Sequence, residues 1–192
     1  MSFRSDRTSA LTTREISFKT DANHHPRPAA NPTPEKSLFV TSWARNLDEV
    51  REAQALRQAV FGVEMGATLR TLVPGLDADI FDDFCEHLLV REVATNTVIG
   101  TYRVLTPTQA KRIGGTYTDE EFDLTRLRDL RSQMVEVGRS CVHPAYRNGG
   151  VILALWRALT QFMRSNGLHI MIGCGTIPLR VTALPNEPFG GH

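Results

Sequence analysis

Residues 134–173 read MVEVGRSCVHPAYRNGGVILALWRALTQFMRSNGLHIMIG, and this stretch decides the fold. Met134 to Val142 is β-rich, a turn with Pro144 and Gly149 follows, and Gly150 to Asn166 carries Leu153, Leu155, Trp156, Leu159 and Phe162 at helical spacing. Leu168 to Gly173 is again apolar and short. Strand, helix and strand in that order predict a right-handed parallel crossover, hence an α/β arrangement in which those five helix residues face inward.

Upstream, LFVTSW at 38–43 reads as a first strand, and Asn46 caps a helix whose Leu47, Val50, Ala53, Leu56 and Val60 recur at helical spacing. Residues 66–85, with Gly, Pro and four Asp, read as a long loop. Leu88 to Val90 and Val98 to Leu105 form a hairpin around 94–97, and short helical material fills 107–131. The sum is a twisted mixed β-sheet flanked by helices over residues 37–175. Residues 1–36, with Pro26, Pro28, Pro32 and Pro34 and no apolar period, are expected to be a disordered leader. Residues 176–192, with Pro178, Pro185 and Pro188, are expected to be an irregular tail, which leaves the sheet incomplete at the C-terminus and the strand at 168–173 with an unpaired edge.

Lys+Arg 22 against Asp+Glu 21 excludes a global basic field directed at nucleic acid. Cys85, Cys141 and Cys174 are widely spaced without C-x-x-C pairing, which argues against a disulfide framework and a zinc site and for a reducing compartment. His24-His25 lacks a third ligand nearby, so no metal is implied. The N-terminus lacks a signal-peptide core, and the longest apolar run, Val151 to Trp156, is far below a membrane span. A cytoplasmic protein, at most peripheral to a membrane, is expected.

Chemistry concentrates first in the turn. Arg147, Asn148, Gly149 and Gly150 lie between a strand and a helix, where backbone N–H groups at a helix N-terminus can meet an anion. A tight turn that uses Gly is the plainer reading, and spacing alone does not choose. The segment resembles motif A of the GNAT acyltransferases, in which an Arg and following glycines hold the phosphate end of a pantetheine thioester. Ile152 stands where that motif has a small residue, which weighs against a coenzyme A pyrophosphate and leaves room for the single phosphate of an acyl-carrier-protein arm.

Four further pieces narrow the resemblance: Leu56-Arg57 to Phe61 with Glu64-Met65-Gly66; Asp79 and Asp82 ahead of His87-Leu-Leu-Val-Arg91; Gly100-Thr-Tyr-Arg103; and Glu136-Val-Gly-Arg139-Ser-Cys-Val. Together they resemble the bacterial ornithine N-acyltransferases over about residues 40–175, with acyl-homoserine-lactone synthases as the runner-up and a non-catalytic remnant as the alternative of another class. The resemblance implies transfer of a 3-hydroxyacyl chain from acyl carrier protein to the α-amino group of ornithine, with no permanently bound cofactor. It also implies further strands beyond Gly175 that have no counterpart here, so this chain is expected to be poorly soluble and inactive.

Each residue has a competing structural reading. Arg57 could snorkel at the surface, and Asp79 and Asp82 could satisfy turn backbone. Arg103 and Glu136 interrupt β-rich runs, where a charge must be paired or do chemistry. An amine attacks a thioester as the free base. The site must therefore hold the amino acid, take a proton and stabilise an oxyanion. Asp79 and Asp82 would hold an ammonium, Arg57, Arg103 or Arg139 would serve the acceptor, Glu136 would take the proton, and a backbone N–H at Val142 would meet the thioester oxygen. Glu136 and Arg139 lie three apart, so shared function requires an irregularity, expected at Gly138. Cys141 beside His143 is the alternative nucleophile.

Overall fold

The computed structural model describes residues 38–175. The leader expected over 1–36, the His24-His25 pair and the tail expected over 176–192 lie outside the described residues. A five-stranded sheet runs in the order β1-β2-β3-β4-β5, with β1 Phe39–Trp43, β2 Glu86–Glu92, β3 Val98–Leu105, β4 Met134–Val142 and β5 Ile170–Ile172. The first four strands pair antiparallel and β4–β5 pair parallel, so the sheet is mixed as expected. Asn96, with φ 58, makes the turn of the β2–β3 hairpin. On its outer side β5 has no neighbouring strand among the described residues.

Helix α1, Leu47–Arg57, starts at Asn46, whose side chain accepts from Glu49 N at 3.0 Å. It packs Ala53 and Leu56, with Val60 beyond its end, on Leu89, Val98 and Cys141. Leu47, in the first turn of the helix, is 65% exposed. Past Arg57 the helix widens into a π segment, Gln58–Glu64, closed by a bond from Met65 N to Val60 O at 3.0 Å. Two short helices, α2 Pro107–Ile113 and α3 Tyr117–Glu121, lie between β3 and β4, each opened by a threonine capping box.

The opposite face of the sheet is covered by α4, Gly150–Ser165. Its buried stripe is Val151, Leu155 and Leu159, with Phe162 packed on Trp43 at 4.7 Å between ring centroids. Two residues of the expected stripe are corrected: Leu153 is 69% and Trp156 44% exposed. At about 100° per residue, 153 points away from the 151–155–159 line and 156 lies at its margin, where Trp156 meets Tyr102 edge-on. Gly100 permits the close approach of α4, since a Cβ there would lie 2.6 Å from Val151 Cγ1. Among the described residues no helix is long and apolar enough to cross a membrane.

Candidate functional site

The site lies on the α1 face of the sheet, where cross-strand pairing sets His87 opposite Arg103 and Arg103 opposite Gly138. An irregularity in β4 completes it. Thr101 pairs with Cys141 and Arg103 with Gly138, so Arg139 and Ser140 together face Tyr102. This is a β-bulge, one residue later than expected: Gly138 stays in register and Arg139 takes the left-handed conformation at φ 50. A non-glycine residue persists there because its side chain is held elsewhere. The Arg139 guanidinium lies over the Tyr117 ring at 5.6 Å, with Nη2 3.2 Å from Asp79 Oδ2 and Nε 3.3 Å from Asp77 Oδ2. The extra residue brings Arg139 and Glu136 to one pocket, shared with Cys85, Arg103, Tyr117 and Cys174.

Behind Arg139 stands a closed ionic cluster. Arg57 is fully buried, with Nε 3.0 Å from Asp77 Oδ2 and Nη2 2.7 Å from Asp82 Oδ2, and it also donates to the Asp77 carbonyl. Neither the snorkelling nor the substrate-contacting reading of Arg57 holds, since both its partners are buried acids. Asp82 further accepts from Gln54 at 3.0 Å and from Arg103 Nη1 at 3.0 Å. Burial alone would raise the Asp82 carboxyl, but the hydrogen bonds and charges of Arg57 and Arg103 outweigh it and hold the group well below the usual carboxylate range. With its oxygens so occupied, Asp82 is not a docking point for an incoming ammonium. Asp79, bonded to Arg103 at 2.6 Å and to Arg139 at 3.2 Å, is the partly exposed acid of the cluster. Asp77 escaped the sequence reading; its signal was the spacing of acids at 77, 79 and 82, matched by three arginines.

His87 is buried, and its Nε2 lies 3.0 Å from the Asp82 carbonyl. A carbonyl accepts only, so Nε2 carries the proton and Nδ1 is bare, without a partner among the described residues. Burial lowers the pKa of this imidazole, and the positive Arg57 and Arg103 push the same way.

Glu136 is buried at the start of α3. Its Oε2 accepts from Tyr117 N at 2.9 Å and its Oε1 from Thr118 N at 2.7 Å and from the Thr118 hydroxyl. Three donors anchor the carboxylate and fix α3, and Sγ of Cys174 lies 3.7 Å from the same hydroxyl. Sequence reading had not linked 117–118 to Glu136, because a contact 18 residues apart leaves no periodic trace.

The parallel pairing between β4 and β5 is short. Pairing ends at Glu136 with Ile172, although β4 runs on to Val142. Gly173 sits so close to β4 that a Cβ would lie 2.3 Å from Val137 O; beyond that point the edge of β4 is uncovered by β5. His143 N bonds Ile99 O at 2.8 Å, which makes Val142 and Gly100 a non-hydrogen-bonded pair. The Val142 N–H and C=O therefore point away from β3, toward the other edge of β4, where Arg147 Nε donates to Val142 O at 3.0 Å.

The turn at 147–150 is a glycine-capped start of α4. Gly149, at φ 95, is the N-cap of α4, and Asn148 Oδ1 accepts from Gly150 N at 3.3 Å. Arg147, however, is already engaged by Glu64, which it grips at 2.5 and 2.7 Å. Cys141 is no nucleophile. It is buried, desolvation pushes its thiol up to about 12, and His143 Nδ1 accepts from Ala145 N. No metal-ligating cluster occurs among the described residues.

Compared with known proteins, residues 56–157 match the family model of the acetyltransferase (GNAT) domain. A relative from Rhodobacter capsulatus named L-ornithine N(alpha)-acyltransferase is 38% identical over 153 residues, which cover 76% of this chain and 59% of the relative. One of the same name from Brucella abortus is 38% identical over 136 residues, 66% of this chain and 48% of its own. The chain thus spans about half the length of the curated relatives it matches. Among solved structures, the acyl-homoserine-lactone synthase LasI superposes with a TM-score of 0.52 at 17% identity over 70% of this chain and 71% of its own. The coenzyme-A-dependent synthase BjaI gives 0.51 at 23% over 66% and 59%. At these identities the two synthases are alike in fold alone.

Proposed function

The chain belongs to the GNAT acetyltransferase family, and from that premise we propose that it is a cytoplasmic N-acyltransferase that moves a 3-hydroxyacyl chain from acyl carrier protein to the α-amino group of L-ornithine, the first step toward an ornithine lipid. The observation that carries the acceptor is the 38% identity to a protein named for that reaction. The geometry is compatible at each point. The ornithine carboxylate meets Arg139, the outermost guanidinium of the cluster, and its ammonium meets Asp79. The thioester lies along the β4 edge that faces away from β3, where the Val142 N–H meets the oxyanion; a donor of this kind is worth roughly 2.7–4 kcal/mol in the transition state. The turn 147–150 receives the phosphate of the pantetheine arm. Glu136, held by three donors and lining the pocket, takes the amine proton directly or through water.

Mass spectrometry tests the reading. The chain, and the chain extended by the C-terminal part of the Rhodobacter capsulatus relative, are each incubated with a 3-hydroxyacyl carrier protein and either L-ornithine or S-adenosylmethionine. N-acylornithine from either protein is the expected product, and Glu136→Gln should lower its rate by roughly 10²-fold. Acylation of S-adenosylmethionine instead, or of neither acceptor by both proteins, overturns the proposal.

A further inference from the structure

Glu64 is the last residue of the π segment that continues α1, yet its carboxylate reaches across to the donor turn. Arg147 grips it with both terminal nitrogens, Nη1 to Oε1 at 2.5 Å and Nη2 to Oε2 at 2.7 Å, while its Nε holds Val142 O at 3.0 Å. The guanidinium is thereby fixed at its Nε side, and an anion must meet it at the edge where Glu64 sits. Carboxylate and phosphate offer that edge the same paired oxygens, and two anions do not share it.

We propose that Glu64 is an internal stand-in for the donor's phosphate, a residue that occupies Arg147 until a phosphopantetheine arm displaces it and so sets the affinity for the donor. The inference rests on the reading of Arg147 as the phosphate residue. Donor binding exchanges one ion pair for another, so the net attraction of Arg147 for the donor is reduced by what Glu64 contributes. The displaced carboxylate also releases a tie between the donor turn and the helix that ends at Arg57. The arrival of the donor thus loosens the segment 58–64 beside the acceptor cluster. Glu64 lies in solvent reach, and the Arg147 hydrogen bond keeps it below the ordinary carboxylate range, so the competing charge is present at neutral pH.

Isothermal titration with pantetheine 4′-phosphate, and with pantetheine as the phosphate-free control, tests this. E64Q keeps the shape and removes the charge; it should bind the phosphorylated probe about two- to fivefold tighter than the parent, the range of a well-formed exposed ion pair, with pantetheine unchanged. E64D, which keeps the charge, should stay below that gain. R147M should lose the preference for the phosphorylated probe. Equal or weaker binding by E64Q overturns the role of Glu64 while leaving Arg147 in place. A preference that survives R147M overturns the reading of Arg147, and this proposal with it.

Discussion

The two ends of the site are held by the same chemistry, arginine on carboxylate, in opposite surroundings. In the cluster on the α1 face Arg57, Asp77 and Asp82 are buried, and each charge meets more than one partner. At the turn before α4 Arg147 and Glu64 face one another half-exposed, with side-chain exposures of 43% and 37%. Buried charges cannot exchange partners without facing an interior that does not solvate them, so the first cluster is a fixed frame. The exposed pair has water as an alternative at every moment, so it suits a place where a ligand must come and go.

Removing the frame's central cation should give the largest effect. Arg57→Met keeps an unbranched buried side chain but leaves Asp77 and Asp82 buried without their shared partner. Urea denaturation should show a loss of about 3–5 kcal/mol, the cost typical of a broken buried pair and a large fraction of a domain's total stability. Stability within error of the parent would mean that the cluster does not hold the 66–84 loop, and the contrast with the Arg147–Glu64 pair would fail.

Acid should reveal the same contrast more gently. The folded pKa of His87 lies below its ordinary 6.5, so the unfolded chain binds its proton first; stability is complete above pH 6.5 and falls as the pH drops below it. Asp82, also lowered in the folded state, contributes stability that is present above its ordinary 3.8 and is lost as the pH falls further. Two descending limbs are therefore expected in stability against pH, the first below 6.5 and the second below about 4. His87→Asn should flatten the first. Equal stability at pH 8 and pH 5 would show that protonation of the imidazole between Arg57 and Arg103 costs nothing, contrary to a buried frame.

The frame was legible in the sequence in outline and not in detail. Strand and helix positions followed from periodicity; β4 begins and ends at Met134 and Val142 as read. Apolar content alone misplaced Leu153 and Trp156, because burial depends on the angular phase of a residue around its helix. The three-residue spacing of Glu136 and Arg139 announced an irregularity, yet the glycine beside them was not its seat. The left-handed residue is the arginine, held by contacts to Asp77, Asp79 and Tyr117 that lie far away in sequence. Arg57 looked like a surface residue because its buried partners, 20 and 25 positions on, sit in a loop without periodicity. Glu64 was quoted only as part of a motif, and nothing local joins it to Arg147, 83 residues later.

The smallest expected effect concerns that last pair and decides whether it is a frame or a latch. Arg147→Met removes contacts to Glu64 and to the Val142 carbonyl, and water replaces them at an exposed position. The first contact is screened by salt and the second is a single hydrogen bond that solvent can supply. The melting temperature should therefore stay within about 2 °C of the parent at low salt, and the residual difference should vanish in 0.5 M sodium chloride. Arg57→Met under the same two conditions should remain strongly destabilised, because a buried pair is not screened. If Arg147→Met instead melts many degrees lower at both salt concentrations, the Glu64 bridge fastens the π segment to the donor turn as structure. Its carboxylate would then be too firmly placed to yield to a phosphate, and the two ends of the site would differ in exposure without differing in role.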